Sequence, residues 1–369
     1  MTDDLATLLR HEADALHVPG APAYDIVSAG QRRRRRRRAA RAVVAAGLVT
    51  AVGIFASGLS WGHHSGSDHF EPADAGVLSG TEPTFTAKTI RLTPQVSVTL
   101  EQRPVIQLYS SAGLVVLTSP PDDPHQRPPY HLSLINAQGT RNDLGVTLST
   151  SWVSAEYDQP YVAWAVPTTH GFEVVVRDLT TGRDVAQVPV DVRGRHPMPS
   201  HHGLVISLDG DTVYATAQGG GYAIDWRTGD VTDAPLLSIG RVVGVHGGRV
   251  LDYQAHQVKD VATGRLLLDI GPHGNGSLSP DGRYVLVTRD SGAIVVYDVQ
   301  TGTRVRMSAT FGVWGWTPDG RPLGLVSDDS RLVTCDPVDG DCTGTAYPSG
   351  RQLALPGESG YAVQIGVTG

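Results

Sequence analysis

The chain has 369 residues, 40% of them hydrophobic and 18% charged, with a formal net charge of −7. Nine arginines face five acids in residues 1–41 (+4), whereas 21 basic residues face 32 acidic ones in the remainder (−11). This division argues against a general affinity for polyanions, and the apolar fraction excludes a wholly disordered chain.

The first predicted element is a short amphipathic helix over residues 2–17, where Leu5, Leu8, Leu9 and Leu16 follow a helical spacing. Pro19 and Pro22 end it. A helix this short does not hold in water alone, so its apolar stripe is expected to dock on a partner: a cytoplasmic protein, the membrane surface or a second copy.

Arg32, Arg33, Arg34, Arg35, Arg36, Arg37 and Arg38, with Arg41, stand directly before the uncharged run AVVAAGLVTAVGIFASGLSW, Ala42–Trp61. Twenty apolar residues suffice for a helix across a ~30 Å hydrocarbon core. Positive charge beside a span resists translocation, which sets the arginines on the cytoplasmic side. The expected topology is therefore a single-pass plasma-membrane protein with residues 1–41 inside, 42–61 as the transmembrane helix, 62–82 as a polar linker, and 83–369 outside. The arginine block is expected to meet anionic lipid, at about 1 kcal/mol per residue. No aromatic residue interleaves with it to stack on bases, so nucleic acid is not an expected partner. The bias of 28 arginines against two lysines (Lys88, Lys259) fits a GC-rich genome such as an actinobacterium's.

From residue 83 onward the chain is periodic. Strand-like runs flank an Asp-x-x-Thr-Gly unit in VVVRDLTTGRDV (174–185), AIDWRTGDV (223–231), QVKDVATGRLL (257–267) and IVVYDVQTGTRV (294–305), with a degraded copy in LVTCDPVDGDC (332–342). The aspartates Asp178, Asp225, Asp260, Asp298 and Asp336 are 47, 35, 38 and 38 residues apart. A second turn signal lies between them, in ISLDGDTVYAT (206–216), LSPDGRYVLV (278–287) and WTPDGRPLGLV (316–326). Both signals are turn chemistry, in which Asp bonds to turn amides and Gly takes the left-handed position. A catalytic role for these aspartates is not expected. Four short strands per 35–47 residues predict an all-β fold, a β-propeller. Six blades are counted at 105–147, 148–191, 192–237, 238–270, 271–310 and 311–346. Residues 83–104 and 347–369 together amount to one more, so seven blades closed by both chain ends are favoured over six.

The repeats, best copied at 278–305, resemble the WD-repeat and TolB-like β-propellers of bacterial extracytoplasmic proteins. Tyr297-Asp298 stands where a WD repeat has its Trp-Asp pair. The Leu-rich start, VPGAPAYDIVSAGQRRRRRRR and the span resemble actinobacterial membrane proteins found beside extracytoplasmic-function sigma factors. That likeness implies a signalling role with a cytoplasmic partner, although the inner segment has no Cys for a zinc-binding anti-sigma domain.

Cys335 and Cys342 are the only cysteines and flank the DPVDGD turn of a predicted hairpin. Opposed positions of antiparallel strands come within disulfide range, and an extracytoplasmic site permits oxidation, so a disulfide is expected. His63, His64 and His69 cluster in the polar linker, where nothing would orient them, and no metal is expected. Gly219–Gly221 and GPHGNGS (271–277) do not open a helix, so no phosphate cradle is expected. No nucleophile–base spacing stands out, and neither catalytic residues nor a cofactor are expected. The reading is a binding or sensing module that takes an unidentified protein or small ligand on the propeller. Its alternatives are a propeller hydrolase or lactonase with a site in the central channel, and a passive envelope scaffold.

Overall fold

The structure is a computed structural model. It describes residues 84–346 apart from 87, 94, 103, 121–127, 193–203, 218–219, 238–243, 272–274, 290–291, 311–312 and 327–330. The 2–17 segment, the arginines 32–38 and 41, the apolar run 42–61 and the linker all lie outside the described residues. No helix among the described residues is long and apolar enough to cross a membrane.

The described chain is all β. Six successive four-stranded antiparallel sheets cover Pro104–Leu148, Val153–Asp191, Val205–Asp233, Val245–Asp269, Asn275–Arg306 and Val313–Ala346. In each, the strands pair in chain order as a meander. These are blades one to six, and they fall on the six expected windows. The first strands of successive blades lie side by side: the Ser154 Oγ accepts from the Leu208 N–H at 3.0 Å, and the Ser207 Oγ bonds to both the N–H and C=O of Val245. The sheets thus radiate from a common axis, which makes the fold a β-propeller.

Burial follows from that arrangement. The second strand of blade five, YVLVT, is buried along nearly its whole length, because neighbouring blades cover both its faces. Its outer strand, Arg304–Arg306, alternates between exposed and half-buried residues. The core is accordingly a series of wedges between blades. One holds Leu117, Leu132 and Trp164 between blades one and two, and another holds Phe172, Ile206 and Ile224 between blades two and three. Smaller wedges separate blades three and four, four and five, and five and six.

The Asp-x-x-Thr-Gly units join the third and fourth strands. In blade five the Asp298 Oδ1 accepts from the Gln300 and Thr301 N–H groups at 2.9 and 3.0 Å, and the Gly302 N–H donates to the Asp298 carbonyl at 2.8 Å. Gly302 sits at φ 72°, the left-handed position that makes glycine the favoured residue. Asp178, Asp225, Asp260 and Asp336 cap their turns in the same way.

The described residues hold six four-stranded blades, and the seventh that the sequence favours is not among them. Residues 84–99 form a three-stranded sheet, Thr84–Thr86, Thr89–Arg91 and Ser97–Thr99, rather than a full blade. The residues expected to supply its remaining strand, 347–369, lie outside the described chain. The small sheet packs Ile90, Leu92 and Leu100 against Leu114, Val116 and Ile135 of blade one.

Candidate functional site

A meander sends its connections alternately to the two faces of the ring. The links between first and second strands, and between third and fourth, share one face, which we term the turn face. The other links and the blade-to-blade crossings share the opposite loop face.

On the turn face no connection within blades one to six exceeds six residues, and most of the first turns are bonded to one another. The Ser111 N–H of blade one donates to the Gln159 carbonyl of blade two at 3.4 Å. The Glu156 carboxyl of blade two accepts from the Gly210 N–H of blade three. The Asp209 carboxylate of blade three accepts from the Gly247 and Gly248 N–H groups of blade four at 2.9 and 2.7 Å. The Arg249 guanidinium of blade four donates to the Gly282 carbonyl of blade five at 2.5 Å. The fit there is close: a Cβ on Gly282 would fall 2.0 Å from the His246 carbonyl oxygen. Tyr157 then reaches from blade two to blade six, where its hydroxyl donates to the Thr317 carbonyl at 3.3 Å, and its ring meets Tyr109 of blade one edge-on. One phenol therefore ties together turns of three blades.

The burial of these turns shifts their acids. Desolvation pushes the Glu156 carboxyl up to about 8, opposed by its bond from Gly210 and reinforced by Asp209 and Asp158. Asp209 is raised by burial, against the pull of the Gly248 and Gly247 amides. Burial, then Asp319 and Asp281, hold the Tyr157 hydroxyl above its ordinary value. Desolvation lowers the half-buried His246 to about 4 despite Asp281. It is thus neutral at pH 7. The turn face therefore gathers titratable groups shifted by desolvation, and Glu156, Tyr157 and Asp209 among them bond across turns. Among the described residues no group of three or more His, Cys, Asp or Glu is placed to hold a metal ion.

The loop face is different. Its three longest connections are 119–129 within blade one, 192–204 between blades two and three, and 234–244 between blades three and four. All three belong to one sector of the ring. Blade-to-blade crossings of 11 to 13 residues are not needed to link adjacent strands, as the four-residue crossing 149–152 demonstrates. Val166 and Thr168–His170 are exposed on this side of blade two.

Cys335 and Cys342 are disulfide-bonded, with Cα atoms 4.0 Å apart at directly opposed positions of the last hairpin. They stand beside the hydrogen-bonded Asp336–Asp341 pair, so they occupy a non-hydrogen-bonded position, where side chains approach most closely. The membrane-topology arginines lie outside the described residues, as do His63, His64 and His69. The residues that motif reading missed are Glu156 and Tyr157. Their segment AEYDQP carries no repeat signal, and their partners lie 54 and 160 residues away.

No family model and no curated protein matches the chain. Among solved structures it is similar to a chain of a mitotic checkpoint complex, at 12% identity and a TM-score of 0.45, over 86% of this chain and 99% of that one. It is also similar to the β-propeller domain of Myceliophteria thermophila Cps50 (Swd1), at 13% identity and a TM-score of 0.40, over 71% and 97%. TolB from Acinetobacter baumannii matches at 17% identity and a TM-score of 0.36, over 63% and 61%. The blades themselves define the class of protein: an all-β propeller.

Proposed function

We propose that the chain is a membrane-anchored, extracytoplasmic binding module whose propeller takes a protein or small ligand on the loop face. Residues 2–17 dock a cytoplasmic partner such as a sigma factor, and the arginines 32–38 and 41 rest on anionic lipid. The observation that carries the ligand-binding reading is the contrast between faces: one is bonded into a compact plate, while the other carries surplus chain in a single sector. Surplus loops on a rigid scaffold are where recognition residues concentrate.

The test is site-specific photo-crosslinking of the full-length protein in intact cells. A crosslinker at His170, on the loop face, gives a discrete adduct, and one at Thr228, on the turn face, gives none. Adducts from Thr228 alone, or from neither site, would refute this reading. A second arm deletes residues 1–30. A changed transcriptional output supports signalling through the inner segment, whereas an unchanged output leaves an envelope scaffold.

The enzymatic alternative, a hydrolase or lactonase with its site in the channel, is favoured by one observation: Glu156, Tyr157, Asp209 and His246 have shifted proton affinities on a single face. It requires lactone or ester turnover that Glu156→Gln abolishes.

The finer architectural reading, in which residues 347–369 complete the 84–99 sheet as a seventh blade, is supported by two features. That sheet packs on blade one as a preceding blade would. Gln107 of blade one is also wholly buried, with no hydrogen-bond partner for either amide atom among the described residues. Blades two and three have Val153 and Ile206 at the matching position, three residues before the turn. Truncation after Ala346 is expected to lower the melting temperature sharply, and an unchanged value rules the seventh blade out.

A further inference from the structure

Strand pairing at the seam between blades three and four sets four side chains in a square. The first two strands of blade three oppose Val205 to Thr216 and Ser207 to Tyr214. Side chains alternate along a strand, so all four lie on one face of the blade. Ile206, Leu208, Val213 and Ala215 take the other face, in the wedge with blade two. The square faces blade four, because the Ser207 Oγ bonds to Val245 there. Leu237, Gly244 and Val245 close over it and leave a half-open notch of about 190 Å³. The wedge is thinly filled. Among the described residues it holds five buried apolar side chains, against 16 and 17 in the wedges on either side of blade two.

Thr216 lines this notch and is only 3% exposed, yet its hydroxyl has no hydrogen-bond partner among the described residues. An unmet buried hydroxyl costs free energy. In blade one, Thr118 opposes the start of the first strand in the same register, and there its hydroxyl donates to the Gln102 Oε1 at 2.6 Å. Counted back equally from the opposed residue, blade three has Gly203, which offers no side chain. The Ser207 hydroxyl donates to the Val245 carbonyl and accepts from its N–H, which leaves it one lone pair. A guest that meets both hydroxyls therefore donates to Ser207 and either donates to or accepts from Thr216. No acidic or basic side chain lines the notch, so an ion would stand there without a counter-charge. The space admits about one water-sized group.

We propose that this notch is a binding site for a single water molecule, which donates to the Ser207 Oγ and bonds to the Thr216 hydroxyl. The water supplies to blade three what Gln102 supplies to blade one. It sits between blade three and the crossing 234–244, from which Leu237 and Gly244 come. The seam between blades three and four thus closes on a solvent molecule, where the seams around blade two close on side chains. The site does not depend on what the loop face binds.

The experiment is urea denaturation of the full-length protein in detergent micelles, with Thr216→Val, Val245→Ile and the double variant. Thr216→Val keeps the shape and removes the hydroxyl. In a wet notch it breaks a bond to the water and should lower the urea midpoint by roughly 0.3 M. In a dry notch it would remove an unpaired hydroxyl and raise the midpoint. Val245 is 1% exposed, so an added methylene has only the notch to enter. Val245→Ile should displace the water and lower the midpoint in the wild type, yet raise it in the Thr216→Val background. A dry notch gains from the filling in both backgrounds. A midpoint that rises or stays unchanged with either single variant overturns the proposal, as does a double variant no more stable than Thr216→Val alone. Should a variant not fold, a high-resolution crystal structure of the wild type decides. Water density within hydrogen-bond distance of both the Thr216 Oγ1 and the Ser207 Oγ supports the site, and a vacant notch overturns it.

Discussion

The two faces of this ring use the same strands and opposite strategies. On the turn face, each connection is short and its polar groups are spent on neighbours: Glu156 on Gly210, Asp209 on Gly247 and Gly248, Arg249 on Gly282. On the loop face, three connections are longer than linkage demands. The lesson is that rigidity and recognition are separated across a thickness of only two to nine residues per strand. Mutations on the two faces should differ in kind: those on the turn face should damage folding, and those on the loop face should spare it.

The largest expected contrast is between two glycines. Gly282 on the turn face has φ 69°, and a Cβ there would meet the His246 carbonyl at 2.0 Å. Gly292 on the loop face has φ 77° with nothing within 4 Å. Both pay the left-handed penalty when replaced by alanine, about 1–2 kcal/mol. Only Gly282→Ala adds a backbone collision, which takes its expected cost above about 3 kcal/mol. Chemical denaturation of both variants measures the difference, and equal losses would break the contrast between faces.

Next is the disulfide. Cys335–Cys342 closes a small loop at the turn-face end of blade six, and the loop-closure model assigns such a crosslink roughly 2–3 kcal/mol. Cys342→Ser should lower the unfolding free energy by about that amount. Reducing agent should do the same to the wild type and nothing to the variant.

A smaller effect attaches to the repeated aspartates. Asp298→Ala removes an acceptor for two turn amides, at a cost of about 1 kcal/mol by analogy with helix caps. The titration of these groups gives an independent check. Asp260 is held below the ordinary carboxylate value by the Thr263 hydroxyl and amide. Asp298 is lowered too, since the Thr301 and Gln300 amides and Arg283 outweigh its burial. Their contribution is present above the unfolded value near 4 and is lost as pH falls toward the folded ones. Acid should therefore weaken the outer turns first.

How much of this is legible in the sequence tracks the distance between partners. The Asp298 turn closes within five residues, so DVQTG announces it. Cys335 and Cys342 are seven apart across a marked turn, and their pairing is readable for the same reason. The blade windows follow from the turns. Glu156, Tyr157 and Asp209 act across blades, over separations of 38 to 160 residues, and no local pattern encodes which blade turns toward which. The count of blades is legible only as far as six, because 83–104 has the composition of a blade's strands but forms three of them among the described residues. Only pairing distinguishes three strands from four.

The smallest expected effect tests the loop face itself. The crossing 192–204 spans 13 residues where 149–152 makes an equivalent link with four. Closing a flexible loop costs an entropy that grows only with the logarithm of its length, about 0.6 kcal/mol per doubling. Halving this crossing by deletion within 194–201 should therefore change stability by no more than that, toward a slight gain. If the crossing is recognition chain, the same deletion should also abolish the adduct formed from His170, two strands away on that face. A loss of several kcal/mol instead would mean that the segment contributes to the core. The loop face would then be as structural as the turn face, and the division of labour between them would have to be abandoned.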